Sequence, residues 1–150
     1  GCDDNCCRTR FYHHTFLEYL YLREGFGALP KETKQEITNR ARVVCDQMSR
    51  EIDRFVQICP LNFGGRCILY AHRPMICRLH GIPHELRKPG TDVQYHQGCA
   101  AFHNQYKDSA YFRFDRTPLY LNLAKLEKGL KTAMGITDRV RITVAEMLIE

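Results

Sequence analysis

The chain has 150 residues, of which 44% are hydrophobic and 26% charged, and it carries a formal charge of +5. That length can bury a core without staples and reads as a single domain over 1–150. No apolar run approaches the ~20 residues of a membrane-spanning helix, so no membrane partner is expected; nor is a nucleic acid, since no reading motif accompanies the mild positive charge.

Residues 1–10, GCDDNCCRTR, show no hydrophobic period and read as a loop carrying Cys2, Cys6 and Cys7. From about Tyr12 the chain turns amphipathic, with Tyr12, Phe16, Tyr19 and Leu20 at helical spacing. Gly25, Gly27 and Pro30 are expected to end that helix. Residues 31–58 contain no Gly or Pro, and Ile37, Ala41, Val44, Met48, Ile52 and Phe55 recur at three and four, which predicts a long amphipathic helix. Cys45 falls on the edge of that stripe and reads as a small core residue.

Pro60 stops the long helix directly behind Cys59. The Gly64-Gly65 pair predicts a tight reversal that returns Cys67 toward Cys59. Residues 67–70 fit a short strand, and Pro74 suits the first turn of a short helix carrying Cys77 and Arg78. Residues 83–97 are polar with a Pro89-Gly90 turn, and predict a long loop leading to Cys99. Residues 108–116 read as irregular. Pro118 then opens a helix with Thr117 as N-cap and an apolar seam of Leu119, Leu123, Leu126, Leu130 and Met134, ended by Gly135. Residues 139–142 alternate as an extended piece, and Thr143 with Glu146 matches a capping box for a terminal helix.

The chemistry sits in the cysteines. Eight are present, and Cys59, Cys67 and Cys77 are separated by seven and nine residues in a turn-rich stretch. Their density is below the ~8–10% of small disulfide scaffolds. Adjacent Cys6 and Cys7 are poorly placed to bridge each other. A reducing, cytoplasmic setting with metal-bound thiolates is therefore expected. Thiolates suit zinc and iron–sulfur clusters, and four of them complete either a structural zinc site or a [4Fe–4S] cluster. The candidate ligands are Cys2, Cys6, Cys7, Cys59, Cys67, Cys77 and Cys99. The basic residues nearby, Arg66, Arg73, Arg78, Arg87 and Lys88 against Glu85, would balance thiolate charge. Arg73 and Arg78 are candidates for hydrogen bonding around the site or for locking the fold, and Tyr70 for packing beside it. His80, His84, His96 and His103 are spare ligands, with His13 and His14 further down the order. No glycine-rich dinucleotide or methyl-donor motif is present.

The run C-P-x6-C-x2-Y-x2-R-P-x2-C-R over 59–78, following the Cys6-Cys7 pair, resembles the YkgJ-type cysteine-cluster family. The Leu29-Pro30 break and the Cys99-x2-Phe102 element are similar to it too. The resemblance implies a zinc- or iron-chelating domain with Cys6, Cys7, Cys59, Cys67, Cys77 and Cys99 as ligands, Cys2 matching more loosely. The N-terminal signature departs from the family's CxxCxxCC, having one cysteine before the pair. The related flagellin lysine methylases, similar in their cysteine cluster, imply as an alternative an iron–sulfur enzyme of methyl transfer or redox chemistry. The fold expected is mainly α, three to four helices around a cysteine-rich loop centre with little or no sheet. The two long helices are expected to pack together.

Overall fold

A computed structural model describes residues 6–50 and 58–150. Cys2 lies outside them, as do Ile52 and Phe55 of the expected helical stripe. The described residues form six α-helices, one 3-10 turn and five short strands in two sheets. The fold is thus mixed, and the expectation of three to four helices with little or no sheet is corrected.

Helix α1 (Phe16–Gly27) begins later than its aromatic pattern suggests, because Thr15 is extended and its hydroxyl accepts from Glu18 N–H. The helix also runs through Gly25, which was expected to help end it. A Cβ at Gly25 would stand 2.4 Å from the His72 ring, so this glycine serves close packing and not termination. Helix α2 (Lys31–Arg50) buries Ile37, Ala41 and Val44 as its spacing predicts. Cys45 is partly buried and packs against the core, as read from the sequence.

Strands β1 (Asn62–Phe63) and β2 (Arg66–Cys67) form the expected hairpin. Gly64 and Gly65 have φ of +57° and +83°, the left-handed pair that a two-residue reversal requires. A 3-10 turn (Tyr70–His72) stands where the strand over 67–70 was expected to continue. Helix α3 (Met75–Leu79) follows Pro74 and carries Cys77.

The stretch expected as a long loop holds β3 (His84–Leu86) and β4 (Gln94–His96), which pair antiparallel. Strand β5 (Phe114–Asp115), from the stretch expected to be irregular, pairs parallel with β3, giving the order β4-β3-β5. Nothing apolar alternates in HEL or QYH, so no period-2 signal marked them. The sheet is held by its ladder, by stacking of His84 on His96 at 4.5 Å, and by Arg113 over the Tyr95 ring at 4.8 Å.

Helix α4 (Ala100–Tyr106), for which no helix was expected, is capped by Cys99; helix α5 (Thr117–Met134) ends at Gly135, as expected, and that glycine is left-handed. Thr117 is the first residue of α5 and not its side-chain cap: its hydroxyl accepts from Arg87 N–H at 2.8 Å. The expected seam of α5 is not a core seam either, since Leu126 is 61% and Met134 52% exposed. Helix α5 packs chiefly on α1, and α2 on α6 (Val144–Met147). The link to α1 is polar: buried Glu127 accepts from Phe16 N–H and Leu17 N–H, both at 2.9 Å, and Lys131 stands 3.4 Å from its carboxylate. A carboxylate from another helix thus takes two of the four N–H groups that a helix start leaves unsatisfied.

Helix α6 carries the predicted capping box of Thr143 and Glu146. It brings Ala145 and Met147 into one core cluster with Leu22, Phe26, Ile37, Ala41, Val44, Leu61, Leu69, Ile142 and Leu148. His13 and Ile142 form an antiparallel bridge, N–H to C=O in both directions at 2.8 and 3.0 Å. No helix among the described residues is long and apolar enough to cross a membrane.

The crowding at Gly25 predicts an inversion of helix propensity. Gly25→Ala should lower stability by about 1–3 kcal/mol through overpacking on His72. Gly27→Ala, with nothing within 4 Å, should be neutral or stabilising. Thermal unfolding of the two variants checks this; equal midpoints would show that the Gly25–His72 contact does not matter.

Candidate metal centre

Five of the candidate cysteines converge through local devices. Cys59 N–H donates to Cys7 C=O at 2.7 Å, which pins the N-terminal turn to the entrance of the central run. At the thiols, Cys6 hydrogen-bonds with Cys7 and with Cys77, and Asn62 hydrogen-bonds the Cys7 sulfur. Leu61 N–H donates to the Cys59 sulfur and Leu69 N–H to that of Cys67. The two thiols on either side of the hairpin therefore share one arrangement, a sulfur accepting from the amide two residues on. Such amides favour a charged sulfur over a neutral one.

Acting against them, burial pushes the Cys59 thiol up to about 12 and raises that of Cys67, with the neighbouring sulfurs adding to both. Cys7 is raised by its bond with Cys6 and by burial. Cys6 is favoured as thiolate by Cys7, but Cys77 and burial outweigh that. The Arg73 charge opposes the rise at Cys6, Cys7 and Cys67. Its guanidinium lies over the Tyr70 ring at 3.8 Å, with Nε buried and without a hydrogen-bond partner. Tyr70 therefore packs under Arg73, and Arg73 supplies charge to the thiols. Arg78 has the other of its two roles, donating to Arg73 C=O at 2.9 Å and to Ala71 C=O, which locks the loop before α3.

The short helix bearing Cys77 is held at both ends by groups that sequence reasoning missed. Glu18 accepts from Met75 N–H at 2.8 Å at its start. Buried Arg116 donates to Leu79 C=O and, at 3.2 Å, to Ile82 C=O at its end. An anion at the N-terminus and a cation at the C-terminus match the helix dipole. Both residues lie far from the cysteine run in sequence, on elements with no cysteine, and no local pattern marks them.

Cys99 is engaged elsewhere. Its sulfur accepts from Phe102 N–H at 3.5 Å as the cap of α4, and it packs on Gly81. His80 meets Phe11 edge-on at 5.5 Å, His84 pairs with His96, and His103 lies on α4. His13 is 3% exposed, lines a cavity with Cys6, Cys7, Cys59 and Cys77, and has its pKa lowered by burial, which keeps the ring neutral. The seven described cysteines form no disulfide. Among the described residues no group of three or more His, Cys, Asp or Glu side chains stands in a metal-holding arrangement. Cys6 links Cys7 and Cys77 by hydrogen bonds, Cys59 and Cys67 join them through electrostatics, and a cation would have to displace the protons of the raised thiols and draw the sulfurs inward.

Replacing Arg116 by Met should leave the Leu79 and Ile82 carbonyls without their partner, at about 1–3 kcal/mol for a buried unsatisfied group. Amide exchange over 75–82 should quicken while α2 stays protected. Uniform acceleration across the chain would mean that Arg116 supports the whole fold and not the Cys77 helix.

The chain matches no family model, no curated protein and no solved structure, so its resemblance to the YkgJ-type family stands on the residues of the 59–78 run and its flanking cysteines.

Proposed function

We propose that this protein binds a metal, zinc or iron with a [4Fe–4S] cluster as one form of the latter, through its cysteine cluster in a reducing, cytoplasmic setting. The observation that carries the reading is the meeting of Cys6, Cys7, Cys59, Cys67 and Cys77 from separate stretches of chain, their sulfurs linked by hydrogen bonds or mutual electrostatics. A further support is that soft sulfur donors here have amides and Arg73 ready to stabilise negative charge, which a thiol core with no ligand does not need. Cys99 and Cys2 are the outer candidates of the set, Cys99 because its sulfur caps α4 and Cys2 because it lies outside the described residues.

Elemental analysis with sulfide quantitation on anaerobically purified protein decides the metal: zinc without sulfide, iron without sulfide for a single ion, or iron with sulfide for a cluster. Cys67→Ala and Cys77→Ala should lose the metal, whereas Cys45→Ala should keep it and lose only core packing. The reading fails if Cys45→Ala is the variant that empties the protein, or if no variant changes metal content. The pH dependence has a fixed sign. Thiols raised above their ordinary value of 9.0 are protonated at neutral pH, so metal binding releases protons and affinity should fall as the pH is lowered.

A further inference from the structure

A groove that shares no residue with the cavity beside the thiols opens where α1, α3 and α5 meet. Its volume is about 270 Å³, just under the ~300–1,000 Å³ of ordinary small-molecule pockets. Leu17 and Tyr21 from α1, Met75 from α3 and Leu123 from α5 make its wall largely apolar. The Tyr21 hydroxyl is already spent, donating to Ala71 C=O at 2.9 Å. Three charged residues share that wall, Glu18, Arg73 and Arg78. Glu18 is committed inward, one oxygen accepting from Met75 N–H at 2.8 Å and the other from the Thr15 hydroxyl at 2.6 Å. Arg78 spends its guanidinium on the Arg73 and Ala71 carbonyls. Arg73 is different. Its guanidinium rests on the Tyr70 ring, its Nε is buried without a hydrogen-bond partner, and among the described residues no carboxylate pairs with it. A buried donor left unpaired carries its desolvation cost, and an acceptor that reaches it recovers that cost.

We propose that this groove binds a small monocarboxylate with an apolar body, its carboxylate on the Arg73 guanidinium and its body against Leu17, Met75 and Leu123. The planar fork of a guanidinium matches a carboxylate in two parallel hydrogen bonds. Apolar walls strengthen that pair by lowering the local dielectric. A bare inorganic anion would leave the apolar wall uncovered, and a neutral apolar molecule would leave Arg73 unpaired. Two guanidinium groups against one carboxylate give the wall a net positive charge, and Glu18 disfavours a second negative charge on the ligand. The site involves no metal, so it stands apart from the metal-binding reading.

Amide chemical shifts of the isotopically labelled protein, titrated with phenylacetate, test this. Wild type should show saturable shifts at Leu17, Tyr21, Met75 and Leu123, with a Kd of about 1 mM or below for a ligand of about ten heavy atoms. Phenylacetamide has the same size without the charge, and acetate has the charge without the body; each should bind at least about tenfold more weakly. Arg73→Gln should lose the preference for acid over amide, and Arg73→Lys should recover part of it. Leu123→Trp, which fills the groove from α5 and spares Arg73, should block both ligands, with circular dichroism confirming the folds. If Arg73→Gln fails to fold, the acid–amide comparison in wild type and the Leu123→Trp variant decide. The proposal is overturned by no saturable shift in wild type, by shifts confined to residues away from the groove, or by equal affinity for phenylacetate and its amide. Undiminished phenylacetate affinity in a folded Arg73→Gln or Leu123→Trp would overturn it as well.

Discussion

The hydrogen bond from Cys59 N–H to Cys7 C=O is the contact on which the site depends, because it joins the N-terminal turn to the central cysteine run. Closing a loop of roughly fifty residues costs about 3–4 kcal/mol in chain entropy. One backbone hydrogen bond returns about 1 kcal/mol net. The closure is therefore maintained by what surrounds it. Pro60 and Leu61 are buried just past Cys59, and the His13–Ile142 bridge holds the N-terminal segment against the approach to α6. Metal ligation, at roughly 10 kcal/mol or more in small zinc domains, would exceed the closure cost several times over. The helical core does not require that energy. The N-terminal turn, with little apolar surface, gains most from it.

The electrostatics of the cluster follow from the same geometry. Gathering thiols in a partly buried place raises Cys7, Cys59 and Cys67 above an ordinary thiol, because each thiolate would be poorly solvated and close to others. The Leu61 and Leu69 amides and the Arg73 guanidinium pull the other way without prevailing. Cys7, Cys59 and Cys67 thus favour the protonated form, with donors that would stabilise negative charge beside them. On the metal-binding proposal, a divalent cation would supply the missing charge once the thiols had lost their protons and moved inward.

Much of this was legible in the sequence where one residue type has one physical use. The Gly64-Gly65 reversal, the Gly135 stop, the Thr143–Glu146 box and the buried stripe of α2 all followed from local rules. The small sheet did not, because His84, Glu85, Leu86 and their partners across the hairpin present no apolar alternation, and their pairing is carried by the ladder and by ring stacking. The leucines of α5 misled in the opposite sense. They repeat at helical spacing, but the face that docks on α1 does so through Glu127, a residue any pattern reading assigns to solvent. Within the site, spacing identified cysteines that meet in space and named Cys99, whose sulfur caps a helix. Glu18 and Arg116 became visible only in three dimensions, since each acts across a distance in sequence that no motif spans.

The central claim is that sulfur from this cluster surrounds a metal. X-ray absorption at the metal edge of the protein as purified addresses it most directly. The account predicts a first shell dominated by sulfur, near 2.3 Å if the metal is zinc, with that shell lost in Cys77→Ala. A first shell of oxygen and nitrogen, or a sulfur shell that survives in Cys77→Ala and Cys67→Ala alike, would contradict it.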